Sequence, residues 1–325
     1  MRSALVLLTA ALALLGFPGC ESDEAKARRL LAAAEAIEET VSADSLITLA
    51  SRALKLDPRS FFAYDLRASA YENKNDQQAA LNDYTSAMNL DPDFPDAIED
   101  RAGVFEALGM FDSAAADYSR LIELQPDDPE FRLTRGQVYL ELEKYDLAIA
   151  DFNRVIAARP EAPEAYVYRG DGYSGMDSLS RALNDYEAAV KLDPRRTLVF
   201  DHRGLALLDH GLLDLAIADF TRVLELAKDN AGALESRGDC YAELKKLDRA
   251  AADYGAAMAV DSSRADLWAK YGHSNWKLGN LDVARRFLTR ASRDGVKLLA
   301  VSADSVRSWL GQLSRTRPGI EGEGE

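Results

Sequence analysis

Prolines stand at Pro58, Pro92, Pro126, Pro160 and Pro194, each 34 residues after the last. Other residue types keep the same phase from Ala27 to Leu298. Unrelated segments would not hold such a register, so the chain is one small module repeated. A module of this kind buries its apolar face only by stacking on its neighbours. That restricts the fold to an array, and arrays present surface for partners far more often than they build catalytic pockets.

The residues within one period are specific. In the unit Pro163 to Arg196, Tyr166, Gly170, Tyr173, Ala182, Tyr186, Ala189 and Pro194 stand where the tetratricopeptide repeat (TPR) has its aromatic, Gly, Tyr, Ala, aromatic, Ala and Pro. The chain resembles that family over residues 27–298. The resemblance implies an all-α fold: a right-handed solenoid of about eight helix pairs, closed by a C-terminal capping helix.

Each recurring residue has a physical task. The eighth place holds Ala34, Ala68 and Ala102, then Gly136, Gly170, Gly204, Gly238 and Gly272. The twentieth is Ala in every unit but the first, which has Leu46. Small side chains there let the two helices of a unit cross closely, and a bulkier one would overpack the crossing by about 1–3 kcal/mol. Aromatic residues such as Tyr84, Tyr118, Phe152, Tyr186, Phe220 and Tyr254 are expected to fill the space between neighbouring helix pairs as a core stripe. Asp44, Asp112, Asp146, Ser180, Asp214, Asp248 and Asp282 are expected to cap the second helix of their units. Gly109, Gly211 and Gly279 are expected to end the first helix at positive φ.

A polar pair keeps the same phase. Arg67, Arg101, Arg135, Arg169, Arg203 and Arg237 fill the seventh place, and Asp83, Asp117, Asp151, Asp185, Asp219 and Asp253 the twenty-third. The first and last units lack both members, with Ala33 and Leu49 in one and Tyr271 and Phe287 in the other. Joint loss predicts that each Arg pairs with the Asp of its own unit, because pairing across units would leave Arg67 and Asp253 alone.

The N-terminus has a separate purpose. Arg2 precedes an apolar run from Ala4 to Leu15, too short for the ~20 residues a helix needs to span a bilayer. It reads as a secretory signal. The following Phe17-Pro18-Gly19-Cys20 resembles the lipobox of bacterial lipoproteins, although Phe17 and Pro18 depart from its usual Leu and small residue. That resemblance implies cleavage before Cys20 and lipidation of its sulfur. The expected organisation is a signal peptide (1–19), a lipidated cysteine and short linker (20–26), eight repeat units (27–298), a capping helix (299–314) and a disordered tail (315–325). The expected location is the bacterial cell envelope, at the periplasmic face of the outer membrane, or the periplasm or exterior if Cys20 keeps no lipid.

No catalytic constellation is found. His202, His210 and His273 lack metal-ligand spacing, and the chain has no phosphate loop, nucleophile elbow or HExxH. Neither a metal nor another cofactor is expected. With Cys20 acylated, Cys240 has no intrachain partner and reads as a small buried thiol.

Charge restricts the partner. The formal net charge is −15, and −16 without Met1 to Gly19, so nucleic acid would be repelled. TPR arrays bind in a concave groove lined by the second, fifth, ninth, twelfth and thirteenth places of each first helix. Carried over by the resemblance, those places hold the acids Glu99, Glu130, Glu141, Glu164, Asp171, Asp201, Asp209, Glu235 and Asp239, with Asp65, Glu72, Asp96 and Glu106 towards the N-terminus. They also hold the apolar Leu133, Leu140, Val167, Leu198, Leu205 and Leu208, and from Phe61 onward Lys277 is their only base. The expected function is a membrane-anchored scaffold that binds a basic, partly apolar protein segment. A structural component of a pilus, secretion or outer-membrane assembly complex is the alternative, and an enzyme the third reading.

Overall fold

The computed structural model describes residues 22–35, 41–293 and 301–315. The signal peptide, Cys20 and most of the tail lie outside the described residues. Seventeen α-helices and no strands occur among the described residues. Each helix packs most heavily on one adjacent to it in the chain, so the fold is an all-α solenoid of helix pairs.

Two compact bodies divide the chain after Pro160. The N-terminal body contains α1 (Asp23–Glu35), α2 (Ala43–Leu56), α3 (Phe61–Asn73), α4 (Gln77–Leu90), α5 (Pro95–Ala107), α6 (Phe111–Leu124), α7 (Pro129–Glu141) and α8 (Tyr145–Ala158). The C-terminal body contains α9 (Pro163–Gly175), α10 (Leu179–Leu192), α11 (Thr197–Asp209), α12 (Leu213–Leu226), α13 (Ala231–Glu243), α14 (Leu247–Val260), α15 (Ala265–Lys277), α16 (Leu281–Ala291) and α17 (Ala303–Arg315). Helix α1 begins at Asp23, so the expected linker to residue 26 is partly helical. No described helix is long and apolar enough to cross a membrane.

Small residues at the eighth place meet the aromatic stripe directly. A Cβ added to Gly136 would lie 2.5 Å from the Phe152 ring, and one added to Gly170 would lie 2.9 Å from that of Tyr186. The rings at this place are almost wholly buried, Tyr84, Phe152, Tyr186 and Phe220 completely. They seal the two helices of a unit to each other.

The turn inside each unit from the second onward is left-handed. Gly109, Gly211 and Gly279 have φ of 70°, 72° and 84°, and Asn75, Glu143, Asp177 and Lys245 occupy the same place at φ 61°, 55°, 55° and 58°. The expected caps are differently placed. Asp44, Asp112, Asp146, Asp214, Asp248 and Asp282 sit inside the first turn, one residue beyond the first helical position, and Ser180 occupies the same place in α10. There the aspartates oppose the positive end of the helix dipole rather than accept the first N–H groups. The N-cap residues are Ser42 and Asp76, which accept from Ser45 and Ala79 N–H, and then Met110, Lys144, Ser178, Leu212, Lys246 and Asn280, which make no side-chain cap bond.

The Arg and Asp ladder pairs within each unit, as the joint loss predicts. Arg135 Nε and Nη2 donate to Asp151 Oδ2 and Oδ1 at 2.8 and 2.7 Å. The other five pairs are equally two-pronged, at 2.6–2.9 Å. The aspartates are only 5–7% exposed. Such a fork uses the planar geometry of the guanidinium, and the bond to the carboxylate raises the pKa of Arg67, Arg135, Arg169, Arg203 and Arg237. The free Nη1 reaches back one unit: Arg67 to Ser51, Arg101 to Thr85, Arg135 to Ser119 and Arg237 to Thr221, at 2.9–3.1 Å. In the last unit an edge-to-face contact of Tyr271 and Phe287, with centroids 4.9 Å apart, replaces the pair. Beyond it, α17 closes the end of the C-terminal body. Its Val306 and Leu313 are buried, His273 stacks on Trp309 at 4.1 Å, and Asp266 accepts from Val301 N–H at 2.9 Å.

Candidate partner-binding faces

The N-terminal body holds an acidic pocket of about 470 Å³ between α3 and α5, lined by Phe62, Asp65, Leu66, Ser69, Asp96, Glu99 and Asp100. No basic side chain lines it. Phe62 is 50% exposed at its edge and belongs to an aromatic cluster with Phe61 and Phe94. The Tyr84 hydroxyl donates to Glu72 at 3.2 Å and Asp100 at 3.4 Å. The surroundings bury the Asp100 carboxyl in part even though the residue as a whole is exposed. Burial, with Glu72 next, pushes it up to about 6. Burial and Asp96 also raise Glu99. Such shifts mean that a cation placed here would relieve a strain the carboxylates already feel.

Further along this body Glu130 and Glu141 are exposed, and Glu130 pairs with Arg159 at 2.7 Å. Leu133 and Leu140 are half-buried.

In the C-terminal body the acids are largely answered by bases. Glu164 pairs with Arg196. Asp171 accepts from the Tyr186 hydroxyl at 2.7 Å and meets His202 Nδ1 at 2.8 Å. Burial opposes the charge on His202, but Asp171 outweighs it and the imidazole pKa is raised. Burial raises Asp201. Glu235, only 7% exposed, pairs with Arg264 and with Lys270, whose Nζ also reaches Asp239 at 2.7 Å. Asp239 and the exposed Asp209 line a second pocket of about 670 Å³ with Leu208, Gly211, Ala242, Glu243 and Lys270.

The apolar set divides. Leu205 is 41% exposed, and Leu198 and Leu208 are half-buried. Val167 is completely buried among Ala182, Tyr186 and Val199, so it packs the core and presents nothing to a ligand. No base lines the N-terminal pocket, whereas Arg196, His202, Arg264 and Lys270 stand against acids of the C-terminal body. The neutralising Arg159, Arg196, Arg264 and Lys270 lie outside the five places that the family resemblance supplies. A signal for them existed in the period itself, since Arg196 and Arg264 both end their units.

Cys240 is buried and unpaired, and burial pushes its thiol up to about 12. No group of His, Cys, Asp or Glu suited to a metal ion occurs among the described residues.

The family model described as Tetratricopeptide repeat matches residues 66–129, 100–163 and 202–266, which together cover half of the chain. The chain belongs to the tetratricopeptide repeat family. A solved TPR protein from Parabacteroides merdae ATCC 43184 is similar at TM-score 0.67 and 19% identity, covering 76% of this chain and 98% of that one. A thermophilic TPR protein of Thermus thermophilus is similar at TM-score 0.51 and 22% identity, covering 56% and 99%. A chain of the APC/C hetero-tetramer Cut9-Hcn1 is similar at TM-score 0.56 and 13% identity, covering 88% of this chain and 55% of that one. No curated protein matches the sequence. At these identities the likeness is one of fold. The TPR fold is that of a protein-interaction scaffold, and TPR proteins commonly bind protein partners.

Proposed function

We propose that this TPR protein is a membrane-anchored adaptor that holds a basic, partly apolar segment of a partner protein. Its docking site would be the pocket between α3 and α5. One observation carries the reading: Asp96, Glu99 and Asp100 share that pocket with an exposed phenyl ring and no basic side chain lines it, while Glu164 and Glu235 elsewhere hold Arg or Lys. A guanidinium or ammonium would be steered by the carboxylates and could stack on Phe62, and neighbouring apolar side chains would bury against Leu66. Lipidation of Cys20, supported by the apolar leader and Gly19, would fix the array to the envelope.

Each half has its own test. Cys20→Ser should release the protein from membranes or leave it unprocessed, and a wild-type chain found soluble with an unmodified new N-terminus would refute the anchor. A photo-crosslinking residue at Ser69 should capture a partner through a basic segment. Binding should weaken as salt rises through the range where the Debye length falls to ~8–10 Å, and Asp96→Lys with Glu99→Lys should abolish it. A partner indifferent to both salt and these reversals binds elsewhere.

A further inference from the structure

The C-terminal body shows how this wall takes a cation. Lys270, at the sixth place of its unit, inserts between Glu235 at 2.8 Å and Asp239 at 2.7 Å, acids at the fifth and ninth places of the preceding unit. Its ammonium lies 5.9 Å from the Tyr254 ring, whose hydroxyl holds Asp239 at 2.7 Å. His202 and Asp171, with Tyr186, repeat the arrangement at the same places. In the N-terminal body Tyr84 keeps the ring, but the sixth place is Asp100. The position that holds a cation in the C-terminal body therefore has the opposite sign here, beside an open pocket.

A group of cations without acids is exposed on α16. Arg286 and Arg290, one turn apart, continue to Arg293 just past the helix, and all three are exposed. Arg286 and Arg290 meet no carboxylate among the described residues, and Arg290 lies 3.8 Å over the Trp268 ring, which restrains it. The surrounding sequence has the same bias. Residues 264–315 carry ten Lys and Arg against four Asp and no Glu, whereas residues 61–160 carry 20 acids against nine bases.

We propose that the arginine stripe of α16 docks in the Phe62–Asp100 pocket of a second copy of this chain. The inference rests on the reading of that pocket as a site for cationic side chains. It makes the first partner the protein itself. The two surfaces differ, so the contact is heterologous and propagates head to tail into a ring or filament.

The test is a charge swap on the purified full chain in a mild detergent, read by sedimentation. Wild type should associate at low salt and fall to monomer as salt rises. Asp96→Lys with Glu99→Lys, or Arg286→Glu with Arg290→Glu, should each weaken association by about tenfold or more, with circular dichroism unchanged. Mixing the two variants should restore assembly, because each then supplies the surface the other has lost; a folding defect would not be rescued. A wild type that stays monomeric at low salt overturns the inference, and so does an oligomer that survives both reversals. If the stripe instead binds vesicles of anionic phospholipid while the chain remains monomeric, the inference is overturned and the stripe serves a lipid surface. If a basic peptide still binds the pocket of a strictly monomeric chain, the inference falls and the proposed function stands.

Discussion

Removing one partner of a ladder pair should cost more when the carboxylate is the one left behind. In the Arg135 and Asp151 pair the side chains are 19% and 8% exposed. Arg135→Met leaves Asp151 without its two charge-assisted bonds in a place water hardly reaches, at a cost of about 3–5 kcal/mol. Asp151→Leu leaves a guanidinium that still donates to Ser119 Oγ at 2.9 Å and can turn its plane towards solvent, so about 2 kcal/mol is expected. The double variant should lie within about 1 kcal/mol of wild type, since two apolar side chains replace two desolvated charges. The last unit already does this with Tyr271 and Phe287. The coupling energy would then be several kcal/mol. Stability in an array is summed over units and their neighbours, so the assay is native-state hydrogen exchange of the α7 and α8 amides. Additive losses in the double variant, or a milder effect of Arg135→Met than of Asp151→Leu, would refute the reasoning.

Three further outcomes follow from positions already described. Gly211→Ala should destabilise α11 and α12 by about 1–2 kcal/mol in thermal melts, because φ is 72° there, whereas Glu143→Gly should be neutral or mildly stabilising at φ 55°. Asp100, pushed up to about 6, binds its proton more tightly folded than unfolded. Stability should therefore rise as pH falls from about 7 through about 6, level off below the unfolded carboxyl value, and lose this slope in Asp100→Asn, an effect of at most about 1 kcal/mol at such an exposed group. Cys240, buried with its thiol near 12, should resist alkylation in the folded chain and react at once in denaturant, as mass spectrometry would show.

The period, the small residues at the helix crossing and the pairing of Arg with Asp inside one unit were all legible in the sequence, because each is a demand the module makes on itself. The caps were not read in the right phase. An aspartate just inside a helix and one at its N-cap have the same composition signal, and only backbone geometry separates Asp112 from Met110. The surroundings of the acids expected in the groove were half legible. The acids recur and can be counted, but Lys270 and Arg264 neutralise Glu235 from the following unit and the turn before it. Val167 shares a place with acids yet points into the core, where the eighth-place glycine draws the Tyr186 ring beneath it.

The backward reach of four of the six ladder arginines, Arg67, Arg101, Arg135 and Arg237, gives those parts of the array a rule for changing their length. Arg101, Arg135 and Arg237 each need an Asp from their own unit and a hydroxyl from the unit before. Because donors and acceptors recur every 34 residues, a unit such as residues 95–128 could be duplicated or deleted in place with every neighbouring fork still finding both partners. Duplication of the last unit would instead bring a copy of Tyr271 and Phe287 into the interior, where nothing polar remains for the seam to continue on. Growth is thus chemically silent where a hydroxyl precedes each arginine and disfavoured at the last unit, so the ladder bears on where the protein can gain surface as well as on how its present units hold together.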